Sequence, residues 1–141
     1  LSFLPVNKSF NFVEVNKKNQ VFKAQANRLV NQSKFWNFYN SQKIKINNFG
    51  FRNDNNYSRS EKNIIAVIGD SYVEAVQVPF EKTFFNILDE SLGNEYKVYS
   101  FGFSGAPLSQ YLKWAEFAIQ NFDVKYLIFN VVSTVGANFT G

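Results

Sequence analysis

The second half of the chain alternates short apolar runs with segments whose apolar residues recur at helical spacing. Apolar runs at 63–68, 96–101 and 125–132 predict three strands, and the first and third are expected to be buried. Between them, segments 79–92 and 106–121 carry apolar residues every three or four positions, which predicts two helices. This order indicates a parallel sheet covered by helices, so the predicted fold class is α/β.

Each predicted helix carries an apolar face and a signal at one end. Gly93 follows the first helix as a stop signal, and Pro107 stands near the start of the second, where proline is favoured. The face of the first helix that is expected to be buried comprises Phe84, Ile87, Leu88 and Ser91. The corresponding stripe of the second helix comprises Leu108, Tyr111, Leu112, Ala115 and Ile119. Trp114 is expected to serve packing.

The first 60 residues show a weaker pattern. Residues 1–20 predict a loop or an edge strand, residues 21–40 a helix or irregular structure, and the polar segment 47–62 a connecting loop. The chain is therefore divided into a basic, Asn-rich N-terminal extension, 1–60, and an α/β portion, 61–141.

Charge is distributed unevenly between these two parts. Residues 1–60 hold ten Lys or Arg and two Asp or Glu, a balance of +8, whereas residues 61–141 hold five and nine, a balance of −4. A basic segment with aromatic residues such as Trp36 is typical of some nucleic-acid-binding proteins. Because the cations are scattered and form no stripe, we interpret them as a solvated face and expect no nucleic-acid partner.

Cysteine, histidine and methionine do not occur in the 141 residues. The chain itself therefore offers no thiolate nucleophile, no imidazole base, and no histidine or thiolate metal ligand. Its apolar runs stay far below the ~18 residues of a membrane-spanning helix, so no transmembrane segment is expected. Since the sequence begins at Leu1, we expect the natural start, with any signal or anchor segment, to lie upstream.

Small and polar residues follow each predicted strand where it ends, at 69–72, 102–105 and 136–138. Because the carboxyl ends of parallel strands meet at one edge of a sheet, these loops are expected to lie together there. They bring a hydroxyl from Ser71 and an amide from Asn138. A serine at a strand-to-helix turn, with N–H groups that point at one oxyanion, is what acyl transfer requires.

Four segments resemble the sequence blocks of the SGNH (GDSL-like) hydrolases. The stretch IGDSYVEAVQV at 68–78 resembles their first block, in the variant with Glu three residues after the serine. SFGFSG at 100–105 resembles the second block, and GAN at 136–138 resembles the Gly-x-Asn of the third. NFGFR at 48–52 resembles a lead-in found in many bacterial members, so the resemblance covers about residues 47–138.

The resemblance implies a flavodoxin-like, three-layer α/β/α sandwich, expected to be incomplete at its C-terminal end. It implies a serine esterase or acyl hydrolase whose substrate is an ester or an acylated carbohydrate, through acyl removal or acetyl transfer. Ser71 would be the nucleophile, and the N–H groups of Ser71 and Gly105 with the Asn138 side chain would form the oxyanion hole. No metal and no organic cofactor is implied. Members with this lead-in are often extracytoplasmic, which is the location the resemblance suggests.

The chain departs from the family pattern near its end. Phe139 stands where the family usually has Asp, and Ser133 and Thr134 are alternative matches for the family's Asn. The family's Asp-x-x-His motif has no counterpart, since the chain contains no histidine, so these residues alone cannot run the family mechanism. Two hypotheses follow: a fragment of a serine esterase, or a non-catalytic module on the same fold that binds a glycan or an acyl ligand.

Two carboxylates flank Ser71 in the sequence. We interpret Asp70 as a structural residue that holds the loop by hydrogen bonding. Glu74 lies one helical turn beyond Ser71, and we interpret it as a solvated carboxylate favoured by the helix N-terminus.

Overall fold

The computed structural model of the protein describes residues 13–15, 20–32 and 42–132. The strands of this part are β1 Val13–Val15, β2 Phe22–Ala24, β3 Arg28–Gln32, β4 Gln42–Ile46, β5 Ile64–Gly69, β6 Lys97–Gly102 and β7 Val124–Phe129. Its α-helices are α1 Ser71–Glu74, α2 Phe84–Leu92 and α3 Leu108–Asn121, with a 3-10 turn at Phe80–Lys82. Of the helices in these described ranges, none has the length and apolarity that crossing a membrane requires.

The centre of the fold is a three-stranded parallel sheet in the order β6-β5-β7. Every residue of β5, the middle strand, is buried, and its side chains alternate between two clusters. Ile64, Ala66 and Ile68 pack with residues of α3, whereas Ile65 and Val67 pack with residues of α2. Helices therefore flank both faces of the sheet, and the predicted α/β class with a parallel sheet is confirmed.

The face that α2 turns to the sheet differs from the predicted one. Phe85 is 1% exposed, and Leu88 and Leu92 pack against the same cluster, while Phe84 and Ile87 are 40% and 51% exposed. The prediction of Phe84 and Ile87 as core residues is therefore wrong. Two neighbouring stripes of this helix are apolar, so helical spacing alone could not decide which one is buried.

The predicted face of α3 is correct for Tyr111 and Ala115, which are buried. Trp114 and Ala118 are completely buried and complete this stripe, which confirms the packing role expected of Trp114. The prediction is wrong for three residues that are more than half exposed: Leu108, Leu112 and Ile119. The buried face of α3 is therefore formed by Tyr111, Trp114, Ala115 and Ala118, and the three exposed residues lie outside it.

β7 is shorter and more exposed than the buried strand predicted at 125–132. It ends at Phe129 and pairs only with β5 within the described part of the chain. Tyr126 and Phe129 are 56% and 42% exposed, and Leu127 and Ile128 are 36% and 38% exposed. An apolar run favours a strand but does not determine its place in the sheet, and β7 lies at the edge of the described sheet.

Residues 13–15, 20–32 and 42–46 form antiparallel pairs, β1 with β2 and β3 with β4. The helix or irregular structure predicted for 21–40 is therefore wrong over the described residues, and 33–40 lie outside them. Asn27, between β2 and β3, has a φ of 57°, which is incompatible with a continuous right-handed helix.

The loop predicted at 47–62 is confirmed, and a buried polar network holds it against β6. The Tyr57 hydroxyl donates to the Ser100 carbonyl and accepts the Ser100 N–H, each at 2.8 Å, and Asn53 Nδ2 donates to it at 3.2 Å. The Tyr57 ring stacks on Tyr99 with 3.9 Å between ring centroids. The first part of the chain also contacts α3, because Trp114 Nε1 donates to the Phe22 carbonyl at 2.7 Å.

Candidate active site

Ser71 lies at the carboxyl end of the central strand, where β5 passes into α1. Asp70 caps this short helix, and its carboxylate accepts the Tyr72 N–H at 3.0 Å. The Tyr111 hydroxyl of α3 faces the same carboxylate: burial raises the pKa of Tyr111, and the charge of Asp70 adds to the rise. Asp70 thus connects the loop to α1 and α3, while the Ser71 side chain is exposed.

The short helix α1 lies directly on the end of β6, and Gly102 permits this contact. A Cβ atom at Gly102 would lie 2.8 Å from the Glu74 nitrogen and 2.8 Å from two side-chain carbons of Val73. Any larger residue would push α1, and Ser71 with it, away from the sheet. The glycine of the second motif is therefore required by packing.

The second loop turns back over this edge immediately after β6. The Ala106 N–H donates to the Phe103 carbonyl at 3.1 Å, which closes a turn around Ser104 and Gly105. Gly105 has a φ of 78°, a conformation that glycine adopts without strain. The turn therefore needs glycine at the position that the resemblance assigns to an oxyanion donor.

A cavity of about 430 Å³ lies between these two loops. Its lining residues are Ser71, Tyr72, Ala75, Val76, Gln77, Val78 and Ser104. Ser71, the candidate nucleophile, and the second loop therefore face the same cavity, as expected for parallel strands whose carboxyl ends meet at one edge of the sheet. Among the described residues that line the cavity, none carries a charged side chain.

One wall of the cavity is held by an arginine from the lead-in segment. The buried Arg52 guanidinium donates to the backbone carbonyls of Glu74, Ala75 and Val78, the first at 2.7 Å. Burial lowers the pKa of Arg52, and the nearby carboxylates of Asp54 and Glu74 oppose this shift. The lead-in that resembles the family therefore fixes the backbone of the 75–78 wall.

Glu74 is buried, so its interpretation as a solvated carboxylate is wrong. Its side chain points under the second loop, where its Oε2 accepts the Ser104 N–H at 2.7 Å and also accepts the Ser104 hydroxyl. Burial raises the pKa of Glu74, while the two hydrogen bonds from Ser104 and the charge of Arg52 act in the opposite direction. The neighbouring residues Val73 and Ala75 are apolar, but in the sequence they do not indicate that Glu74 is buried.

The third predicted loop cannot be placed. Asn138 and its alternatives Ser133 and Thr134 lie outside the described residues. Asn130 is an amide residue that the structure does place at this edge. It follows β7 directly, and its N–H donates to the Ile68 carbonyl at 2.8 Å. Its backbone lies close to Gly69, the residue before Asp70.

The described side chains do not include one that hydrogen-bonds Ser71. Glu74 is engaged by Ser104, and no hydrogen bond joins Ser71 Oγ to another of the residues in 13–15, 20–32 and 42–132. No group of three or more acidic side chains that could hold a metal occurs in these ranges either.

A scan against protein-family models and searches of curated proteins and solved structures returned no match to this chain. The likeness to the SGNH hydrolases rests on the four sequence segments alone.

Proposed function

We propose that this chain carries the nucleophile and part of the oxyanion hole of an SGNH-type serine esterase or acyl hydrolase. One observation supports the proposal. Ser71, which is exposed, and Ser104 of the second loop line the same cavity at the carboxyl edge of a parallel sheet. The complete fold proposed is the flavodoxin-like three-layer sandwich, of which the described sheet and its helices form a part.

In the proposed reaction, Ser71 Oγ attacks the carbonyl carbon of a bound ester and its proton passes to a base. The ester C–O bond then breaks, the alcohol leaves with a proton, and water hydrolyses the acyl-serine. The N–H groups of Ser71 and Gly105 would stabilise the oxyanion, and one such donor is typically worth about 10²–10³ in kcat. Asn138 is the proposed third donor.

The base is proposed to come from polypeptide outside these 141 residues, because they contain no histidine. The neutral lining of the cavity supports an uncharged acyl group, and an acylated carbohydrate is the proposed substrate class. Asp70 would hold the nucleophile loop without taking part in proton transfer.

The test is covalent labelling with a fluorophosphonate of the polypeptide encoded by the complete reading frame that contains this sequence. We expect peptide mass spectrometry to find the label on Ser71, and Ser71→Ala to abolish it. Ser109→Ala, an exposed serine of α3, serves as the matched control and should label like the wild type. A folded polypeptide that leaves Ser71 unlabelled would refute the proposal.

A non-catalytic binding module on the same fold is the second candidate, and the lack of histidine favours it. It predicts that the same polypeptide binds an acetylated oligosaccharide in calorimetry, with no ester cleavage and no labelling of Ser71. Turnover of the oligosaccharide would exclude it.

A further inference from the structure

Glu74 occupies a place where an ionised side chain is costly. It is 8% exposed and lies between α1 and the second loop. A buried carboxylate needs hydrogen bonds or an opposite charge, since water no longer solvates it. Its partners therefore indicate what keeps it there.

Ser104 is the partner that bonds the carboxylate directly. Both the backbone N–H and the hydroxyl of Ser104 donate to the same oxygen, Oε2. Arg52 attracts Glu74 through its charge, but its Nη1 and Nη2 atoms donate to backbone carbonyls. The ion pairs in the described part of the chain join other residues. The carboxylate is thus committed to the loop after β6.

This contact joins the two loops that face the cavity. Ser71 lies one turn before Glu74 on α1, and Gly105 directly follows Ser104. The Ala106 N–H donates to the Phe103 carbonyl across this turn, and a Cβ atom at Gly105 would meet nothing within 4 Å. Within the described part of the chain, Glu74 is the side chain that hydrogen-bonds Ser104. A shift of the turn would move the Gly105 N–H relative to Ser71.

We infer that Glu74 is a positioning residue: it holds the Ser104–Gly105 turn at the position relative to Ser71 that oxyanion stabilisation requires. The inference rests on the function proposed above. It assigns a role to a carboxylate that touches neither the cavity nor the proposed nucleophile, and that acts through Ser104.

The test is steady-state hydrolysis of p-nitrophenyl acetate by the complete polypeptide and its variants. We expect Glu74→Ala to lower kcat about 10²-fold, the effect of misplacing a reacting group by roughly 1 Å, with KM changed less than about twofold. Glu74→Gln keeps an acceptor oxygen for Ser104 and should restore most of kcat. Glu81→Ala removes an exposed carboxylate of the 3-10 turn and should behave like the wild type.

A double-mutant cycle separates positioning from general stability. If the contact acts as described, the double variant Glu74→Ala/Ser104→Ala loses less kcat than the product of the losses in the two single variants. If Glu74→Ala does not fold, Glu74→Asp replaces it, since a side chain one methylene shorter withdraws the carboxylate from Ser104 and should cost at least tenfold.

An unchanged kcat in Glu74→Ala, or in Glu74→Asp, overturns the inference, and so do fully multiplicative effects in the cycle. These results differ from failure of the proposed function, in which the wild type itself shows neither Ser71 labelling nor hydrolysis.

Discussion

Replacing Gly102 by alanine tests whether α1 must lie directly on the end of β6. The new Cβ atom would lie 2.8 Å from three atoms of Val73 and Glu74, against the ~3.5 Å at which carbon atoms pack. A new rotamer of Val73 cannot remove the overlap, because one of the three atoms is the backbone nitrogen of Glu74. Relief requires α1 to move by roughly 0.7 Å.

Overpacking of this kind typically costs about 1–3 kcal/mol, and we expect Gly102→Ala to lose that much in the free energy of unfolding measured by urea denaturation. Amide ¹H–¹⁵N signals of residues 71–74 should shift, because the helix itself moves. Gly93→Ala is the matched control: its φ of 61° makes alanine unfavourable, but a Cβ atom there meets nothing within 4 Å. It should lose stability without shifting the α1 signals.

Two results would refute this reasoning. One is a Gly102→Ala variant whose stability lies within about 0.5 kcal/mol of the wild type, the range of ordinary surface substitutions. The other is a destabilised variant whose α1 signals remain in place, which would show that the sheet, and not the helix, absorbs the added methyl group.

The remaining predictions concern the buried polar groups. Tyr57→Phe leaves the Ser100 N–H without its acceptor, so we expect a loss of about 1–3 kcal/mol in urea denaturation, and a change below about 0.5 kcal/mol would contradict the network. For Glu74, burial raises the folded-state pKa above the ordinary 4.5, so the native state binds the proton more tightly than the unfolded state. The unfolding free energy of the wild type minus that of Glu74→Gln should therefore fall as the pH rises from the ordinary pKa of 4.5 toward the raised pKa of the folded state. A difference that stays constant or grows over this pH range would show that the pKa is not raised.

Sequence patterns were sufficient for the order of β5, α2, β6, α3 and β7, because apolar runs and helical spacing are local signals. They also predicted that Ser71 and the second loop lie at one edge of the sheet, which follows from the geometry of parallel strands. They failed where a choice depends on tertiary neighbours. The stripe of α2 that is buried depends on how Phe85 meets Val67 and Val98, and no periodicity reports that.

The burial of Glu74 is the clearest failure of local reasoning about the site. A carboxylate in the first turn of a helix is usually solvated, and the residues around it give no contrary sign. Its burial results from a turn 30 residues later in the chain, which closes over it and supplies both donors. Pairing of β3 with β4 was missed for the same reason, since the partner strands only identify each other once folded.

Because Arg52 anchors the cavity wall, the site cannot be transferred to another protein without the segment that contains this arginine. A polypeptide that starts at residue 61 would keep the three described parallel strands and the described residues that line the cavity. It would lose the guanidinium that satisfies three carbonyls of the wall, together with the Phe51 and Tyr57 rings of the core. Grafting the site onto another scaffold, or engineering its specificity, therefore has to carry the lead-in segment along as a structural brace.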